Sequence, residues 1–209
     1  MSATVYFGEP NTKRAETVRR LVESGTPLED GGTCGWQPLN LALTGGDANI
    51  NVVRILLQCG ANPEAIPRSL PHQTPLLLAA AARQERCVLA LLDARASVHV
   101  RNKEGDFVLA ICAEWTPDAK ARRVCEALLS SGADPTARCV DGSTADVRAM
   151  RTGNSTTLML LQERAIAAAE IAAEELLMSE AHSVSLPHFP EGALHGKGRK
   201  GRARGGMVR

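Results

Sequence analysis

Four segments of this 209-residue chain are versions of one another, and that repetition constrains the fold more than any single residue does. VRRLVESGTPLE (18–29) recurs as VRILLQCGANPE (53–64), VLALLDARASVH (88–99) and VCEALLSSGADP (124–135). Each carries apolar residues at the i, i+3, i+4 spacing of a short amphipathic helix: Val18, Leu21, Val22; Val53, Leu56, Leu57; Val88, Leu91, Leu92; and, with one residue of slippage, Val124, Leu128, Leu129. Each then reaches a stop at the same place, Gly25, Gly60, Arg95 and Gly132, at intervals of 35, 35 and 37 residues. Glycine suits the left-handed conformation beyond a helix C-terminus, and Arg95 is the exception. A second helical pattern precedes three of the four, in QPLNLAL (37–43), TPLLLAAAA (74–82) and FVLAICAEW (107–115). Two of these have Pro near the first turn, where its missing N–H costs nothing. The unit is helix, turn, helix, long loop, and the fold class is all-α.

Composition agrees with that reading. Aromatic residues are only 3% of the chain, so Leu, Val, Ile and Ala must fill the core, which favours helices over a sandwich or barrel. No apolar run approaches the roughly 20 residues that span a bilayer, and the start, MSATVYFGEPNTKRAE, lacks the apolar centre of a secretory signal. The expected location is intracellular, cytoplasmic or nuclear, with no membrane contact. Six cysteines (34, 59, 87, 112, 125, 139) show no CxxC and no His at zinc-ligand spacing, and are expected to be reduced, small buried hydrophobes with no metal and no cofactor.

The residues Thr74, Pro75, Leu76, Ala79 and Ala80, then Val88, Leu91, Leu92 and Ala96, then Gly132, Ala133, Asp134 and Pro135 followed by DGSTA (141–145), carry a resemblance to the ankyrin-repeat family. It covers about residues 12–164: a half unit, three full units and a degenerate fourth, DGSTADVRAMRTGNSTTLMLLQE (141–163), in which Asp146 stands at a core Leu position as a capping unit requires. Asn40 and Leu77 replace the signature His that ties the loop down in the family, and Phe107 and Val108 replace Thr and Pro. Insertions near Gly45 to Asn51, Pro63 to Pro71 and Thr116 to Ala121, together with the missing His, are expected to loosen the loops.

The resemblance implies an adaptor or scaffold that binds another protein along the concave face of a monomeric, helix-turn-helix solenoid and catalyses nothing. No GxSxG, HExxH, P-loop or dinucleotide motif is present, and His72 and His99 fall in expected loops. Carried over to this chain, the contact positions at loop tips are Thr33, Cys34, Trp36, Leu70, Pro71, Gln73, Lys103, Glu104, Asp106, Val140, Asp141 and Ser143. On the first helices they are Thr44, Ala81, Ala82, Glu114, Trp115 and Arg151. Trp36 and Trp115, two units apart, would stand about 20 Å from each other on one face as paired anchors; the alternative is that each covers its own neighbourhood.

From Gln162 an Ala- and Glu-rich stretch without Gly or Pro reads as one long helix (165–182), with Ile166, Ile171 and Leu177 as a thin apolar stripe. It is expected either to shield the end of the stack or to project and pair with another helix. Residues 183–209 are expected to be disordered. Residues 191–209 hold six Lys or Arg and one acidic residue, leaving 18 basic and 22 acidic residues before them. Lys197, Arg199, Lys200, Arg202 and Arg204 are open to three readings: a nuclear-import signal, a phosphate-contacting nucleic-acid tether or a plain solvated tail. A nuclear or nucleic-acid-associated regulator is therefore the alternative function, and recognition within a larger enzyme or complex a third.

Overall fold

The structure is a computed structural model that describes residues 11–116 and 119–183. The expected disordered segment beyond residue 183 and the five basic tail residues lie outside the described residues. In order, α1 (Asn11–Glu23) is followed by α2 (Pro38–Thr44), α3 (Ile50–Gln58), α4 (Pro75–Ala81), α5 (Glu85–Asp93), α6 (Val108–Ala113), α7 (Ala119–Ser130), α8 (Ala145–Arg151) and α9 (Ser155–Ser183). Among the described residues there is no strand, only one antiparallel bridge between Arg101 and Phe107 in a loop. The described residues divide after Ala169 into two units.

The first unit is a stack of helix pairs. First helices pack on first helices (α2 on α4, α4 on α6, α6 on α8) and second helices on second helices (α1 on α3, α3 on α5, α5 on α7). Between the two layers lies one continuous core of Leu, Val, Ile and Ala, in which Leu39, Leu76, Leu91, Leu128, Val53, Val88 and Val124 are fully buried. This is an ankyrin-type helical solenoid. Each unit buries its apolar faces on the next, so stability comes from neighbours and not from any one hairpin.

Local sequence sets the ends of each hairpin. Gln37 and Thr74 are extended caps before Pro38 and Pro75, which the first helical position accepts, and the Thr74 hydroxyl accepts from the Leu77 N–H at 3.4 Å. At the other end, Gly25, Gly60 and Gly132 have φ of 87°, 91° and 93°, and Arg95 adopts the same left-handed conformation at 64°. The N–H of the next residue then bonds back to the last turn, Ala61 to the Leu56 carbonyl at 2.9 Å and Ala96 to Leu91 at 3.0 Å. The helix stop is thus built with or without glycine.

Several loops of the first three units are hydrogen-bonded to their neighbours, despite the insertions and the missing His. Asn40 is buried, and its Nδ2 donates to the Ala65 carbonyl of the next loop at 2.8 Å, so the shorter amide does the tethering expected to be lost with the His. Glu29 accepts from the Asn62 N–H at 2.8 Å, and one unit later Glu64 accepts from the Ser97 N–H at 2.7 Å. Within the first insertion, the Asp47 carboxylate accepts from the N–H groups of Arg86 and Cys87 at 3.0 and 3.2 Å, supplying negative charge and acceptors to the free N-terminus of α5.

The helix α9 begins in the fourth unit and runs without a break to Ser183. The expected stripe, Ile166, Ile171 and Leu177, is exposed. No helix among the described residues is long and apolar enough to cross a membrane.

Candidate interaction surface

The positions expected to contact a partner lie in the loops before α2, α4, α6 and α8 and on those helices, and the structure divides them into three groups. Thr33, Cys34, Pro71, Lys103, Glu104, Asp141, Arg151, Thr44, Ala81, Ala82 and Val140 are exposed; Trp36, Leu70, Gln73, Asp106, Glu114 and Ser143 are half-buried; Trp115 is buried. Lys103 and Glu104 pair with each other at 3.5 Å, an exposed contact of little energetic weight.

Trp115 is the clear correction. It is 4% exposed, and its indole N–H donates to the Ala80 carbonyl of the preceding first helix at 3.1 Å. A side chain committed in this way to joining α4 and α6 offers no anchor to a partner, so Trp36 and Trp115 are not a pair. Trp36 stays half-buried at its tip, next to Gln37, whose amide donates to the Ile66 carbonyl of the following loop at 3.4 Å.

A second group closes on a residue that the sequence did not single out. Arg148 of α8 has a side chain only 7% exposed, although it occupies the same place on its helix as Leu41, Leu78 and Ile111 on theirs. Its Nη1 donates to Asp106 at 3.1 Å and Glu114 at 3.3 Å, its Nη2 to Asp141 at 3.3 Å, and its Nε to Ser143 at 2.9 Å. Arg151 also reaches Glu114, at 2.5 Å. Five of the expected contact residues, Asp106, Glu114, Asp141, Ser143 and Arg151, are thereby held to one another between the third and fourth units. Burial by itself lowers the Arg148 pKa, but the Asp106 hydrogen bond and the charges of Asp106 and Glu114 outweigh it and raise the value. Asp141 is shifted down, first by the hydrogen bonds from the Ser143 hydroxyl and N–H and then by the positive charges of Arg148 and Arg151. An Arg on a first-helix face opposite carboxylates one unit earlier was the available signal, but only the repeat alignment brings the two within reach.

Asp106, Cys139 and Asp141 also bring three ligand-type atoms within 4.8 Å of one another. The guanidinium of Arg148 already lies on both carboxylates, and its charge opposes a cation there. Of the six free cysteines, Cys87, Cys112, Cys125 and Cys139 are buried as expected, while Cys34 and Cys59 are exposed. Burial, aided by the charge of Asp47, pushes the Cys87 thiol up to about 12, and burial with Glu126 does the same for Cys125, so both remain thiols at neutral pH.

What remains available is a stripe along the first helices, with Leu41 41% exposed, Leu78 and Ile111 half-buried and Ala81 and Ala82 exposed, bordered by the tips Thr33, Pro71, Lys103 and Glu104. It is apolar over α2 and α4 and becomes charged towards α8.

Comparison with known proteins agrees with the geometry. Residues 9–102 match the family model for ankyrin repeats in three copies. The chain is 32% identical, over 58% of its length, to the Caenorhabditis elegans ankyrin repeat and KH domain-containing protein mask-1, and 36% identical, over 46% of its length, to the Drosophila melanogaster ankyrin repeat and KH domain-containing protein mask. It spans only 4% and 2% of the length of these relatives. Ankyrin repeats are protein-binding modules, and the same hairpin continues beyond the matched segment as α6 with α7 and α8 with the start of α9. Residues 9–102 are thus similar in sequence to ankyrin repeats, and the hairpins that follow them stack in the same way.

Proposed function

We propose that the chain is a non-catalytic adaptor or scaffold that holds another protein against its first-helix layer and loop tips, centred on α2 and α4. The observation that carries this reading is the difference between the two ends of that layer. Around α6 and α8 the polar side chains bond to one another through Arg148, whereas on α2 and α4 and the tip before α2 the exposed Leu41 and Ala81 and the half-buried Trp36 and Leu78 present apolar area outside that network. Apolar surface of this kind in a repeat array is where an extended segment or a helix gains binding energy. Buried thiols and a charge cluster satisfied by its own arginine support binding over catalysis. The six free cysteines fit a reducing compartment, and we place the protein inside the cell, with the basic tail residues Lys197, Arg199, Lys200, Arg202 and Arg204 as an address or a second contact.

Site-specific photo-cross-linking tests the assignment. Probes at Leu41 and Ala81 are expected to trap the same protein from cell extract, while a probe at Gln58 on the second-helix layer traps none of it. Equal trapping from all three positions would remove the first-helix layer from its assigned role.

A further inference from the structure

The last first helix among the described residues carries a face built like the buried faces before it, yet exposed. The third and sixth residues of α2, α4 and α6 are Asn40 and Leu43, Leu77 and Ala80, and Ala110 and Ala113, and all six are buried. Each of these helices packs on the first helix of the following unit, and Asn40 points towards it, its amide reaching the Ala65 carbonyl. In α8 the same two positions hold Val147, 46% exposed, and Met150, 64% exposed. The stacking interface therefore continues past the last unit as an apolar face, and what its register fits is another first helix.

Which helix fits is decided by the pattern around those two residues. At about 100° per residue, Asp146, Val147, Met150 and Arg151 share one face of α8, while Ala145, Arg148 and Ala149 lie on the opposite face and are buried. Read in either direction, the exposed face runs charge, apolar, apolar, charge, with the charges of opposite sign. Set against itself in parallel, it places Asp146 on Asp146 and Arg151 on Arg151. Turned end for end, it places Val147 on Met150 and Asp146 on Arg151 in both halves. We propose that this face is an interface between two copies of the chain, with α8 packed antiparallel on α8 about a two-fold axis. Such an isologous contact closes at two subunits and does not propagate. Arg151 retains donors for it, because its bond to Glu114 uses one of the five that a guanidinium offers.

Sedimentation of the full chain between about 1 and about 200 µM tests this, a range chosen because a contact of one short helix gives an affinity near the micromolar end. The expected mass rises with concentration from that of the 22.2 kDa chain to twice it. Met150→Glu and Val147→Glu, both at exposed positions, are expected to weaken association at least about tenfold with the helical circular dichroism unchanged. Arg151→Asp weakens it as well, and adding Asp146→Arg restores it, because the swapped charges again meet their opposites. A chain that stays monomeric throughout, a dimer indifferent to Met150→Glu, or a double charge swap that fails to restore association would each overturn the proposal.

Discussion

Arg148 and Asp106 stand 42 residues apart in sequence and meet across the last two units, Nη1 to Oδ2 at 3.1 Å. Replacing Arg148 by Ala leaves Asp106 and Asp141 without their shared cation and Glu114 with Arg151 alone, which is expected to cost about 2–3 kcal/mol, below the figure for a fully buried pair because these carboxylates are partly solvated. Urea unfolding followed by circular dichroism measures it. Because a repeat array senses mainly its neighbours, the loss is expected first in the fourth unit.

Acid should reach the same cluster. The Asp141 carboxyl has its pKa lowered in the folded chain, so its contribution is fully present above the unfolded value of about 3.9 and is lost as pH falls through the lower folded value. The melting temperature of Asp141→Asn is therefore expected to lie below that of the wild type at neutral pH and to converge with it in acid. A gap that does not narrow at all as pH falls below the unfolded value would assign the effect to something other than ionisation.

The two kinds of helix stop give a paired prediction of opposite sign. A Cβ added at Gly60 meets no heavy atom within 4 Å, so Gly60→Ala tests the backbone alone and is expected to destabilise by about 1 kcal/mol. Arg95 already sits at φ 64° in the same register, and Arg95→Gly is expected to stabilise by about 0.5–1 kcal/mol. Thermal unfolding of both variants decides it.

Two side chains that join neighbouring units should separate stability from binding. Trp115→Phe keeps most of the ring but removes the indole donor, leaving the Ala80 carbonyl with the Arg83 N–H at 3.1 Å, an expected loss of about 1 kcal/mol. Asn40→Ala removes the amide donor to the Ala65 carbonyl, an expected loss of about 1–2 kcal/mol. Neither is expected to change partner affinity once corrected for the folded fraction, whereas Trp36→Ala, at a half-buried tip, is expected to lower affinity beyond what its smaller loss of stability explains.

The stack was legible because its information is local and repeated. Val53, Val88 and Val124, the stops at Gly60 and Gly132 and the prolines of α2 and α4 each announce their role within one turn of helix. Exposure was not legible, because it is decided by the unit next door. Trp115 looks like an anchor until Ala80, 35 residues earlier, is placed beside it, and Arg148 looks like a surface residue until Asp106, Glu114 and Asp141 converge on it. Asn40 misleads for a different reason: the position was rightly identified, but an amide and an imidazole can bond the same carbonyl.

The central claim is that the layer of α2 and α4, with its loop tips, is a protein-binding surface. Its most direct test is the affinity of the cross-linked partner, once identified, for three chains measured by titration calorimetry: wild type, Leu41→Glu and Gln58→Glu. Leu41 is exposed enough to accept a carboxylate without unfolding, and the expected result is a loss of at least about tenfold for Leu41→Glu with wild-type affinity for Gln58→Glu. Unchanged affinity for Leu41→Glu, or an equal loss from Gln58→Glu, would contradict the account.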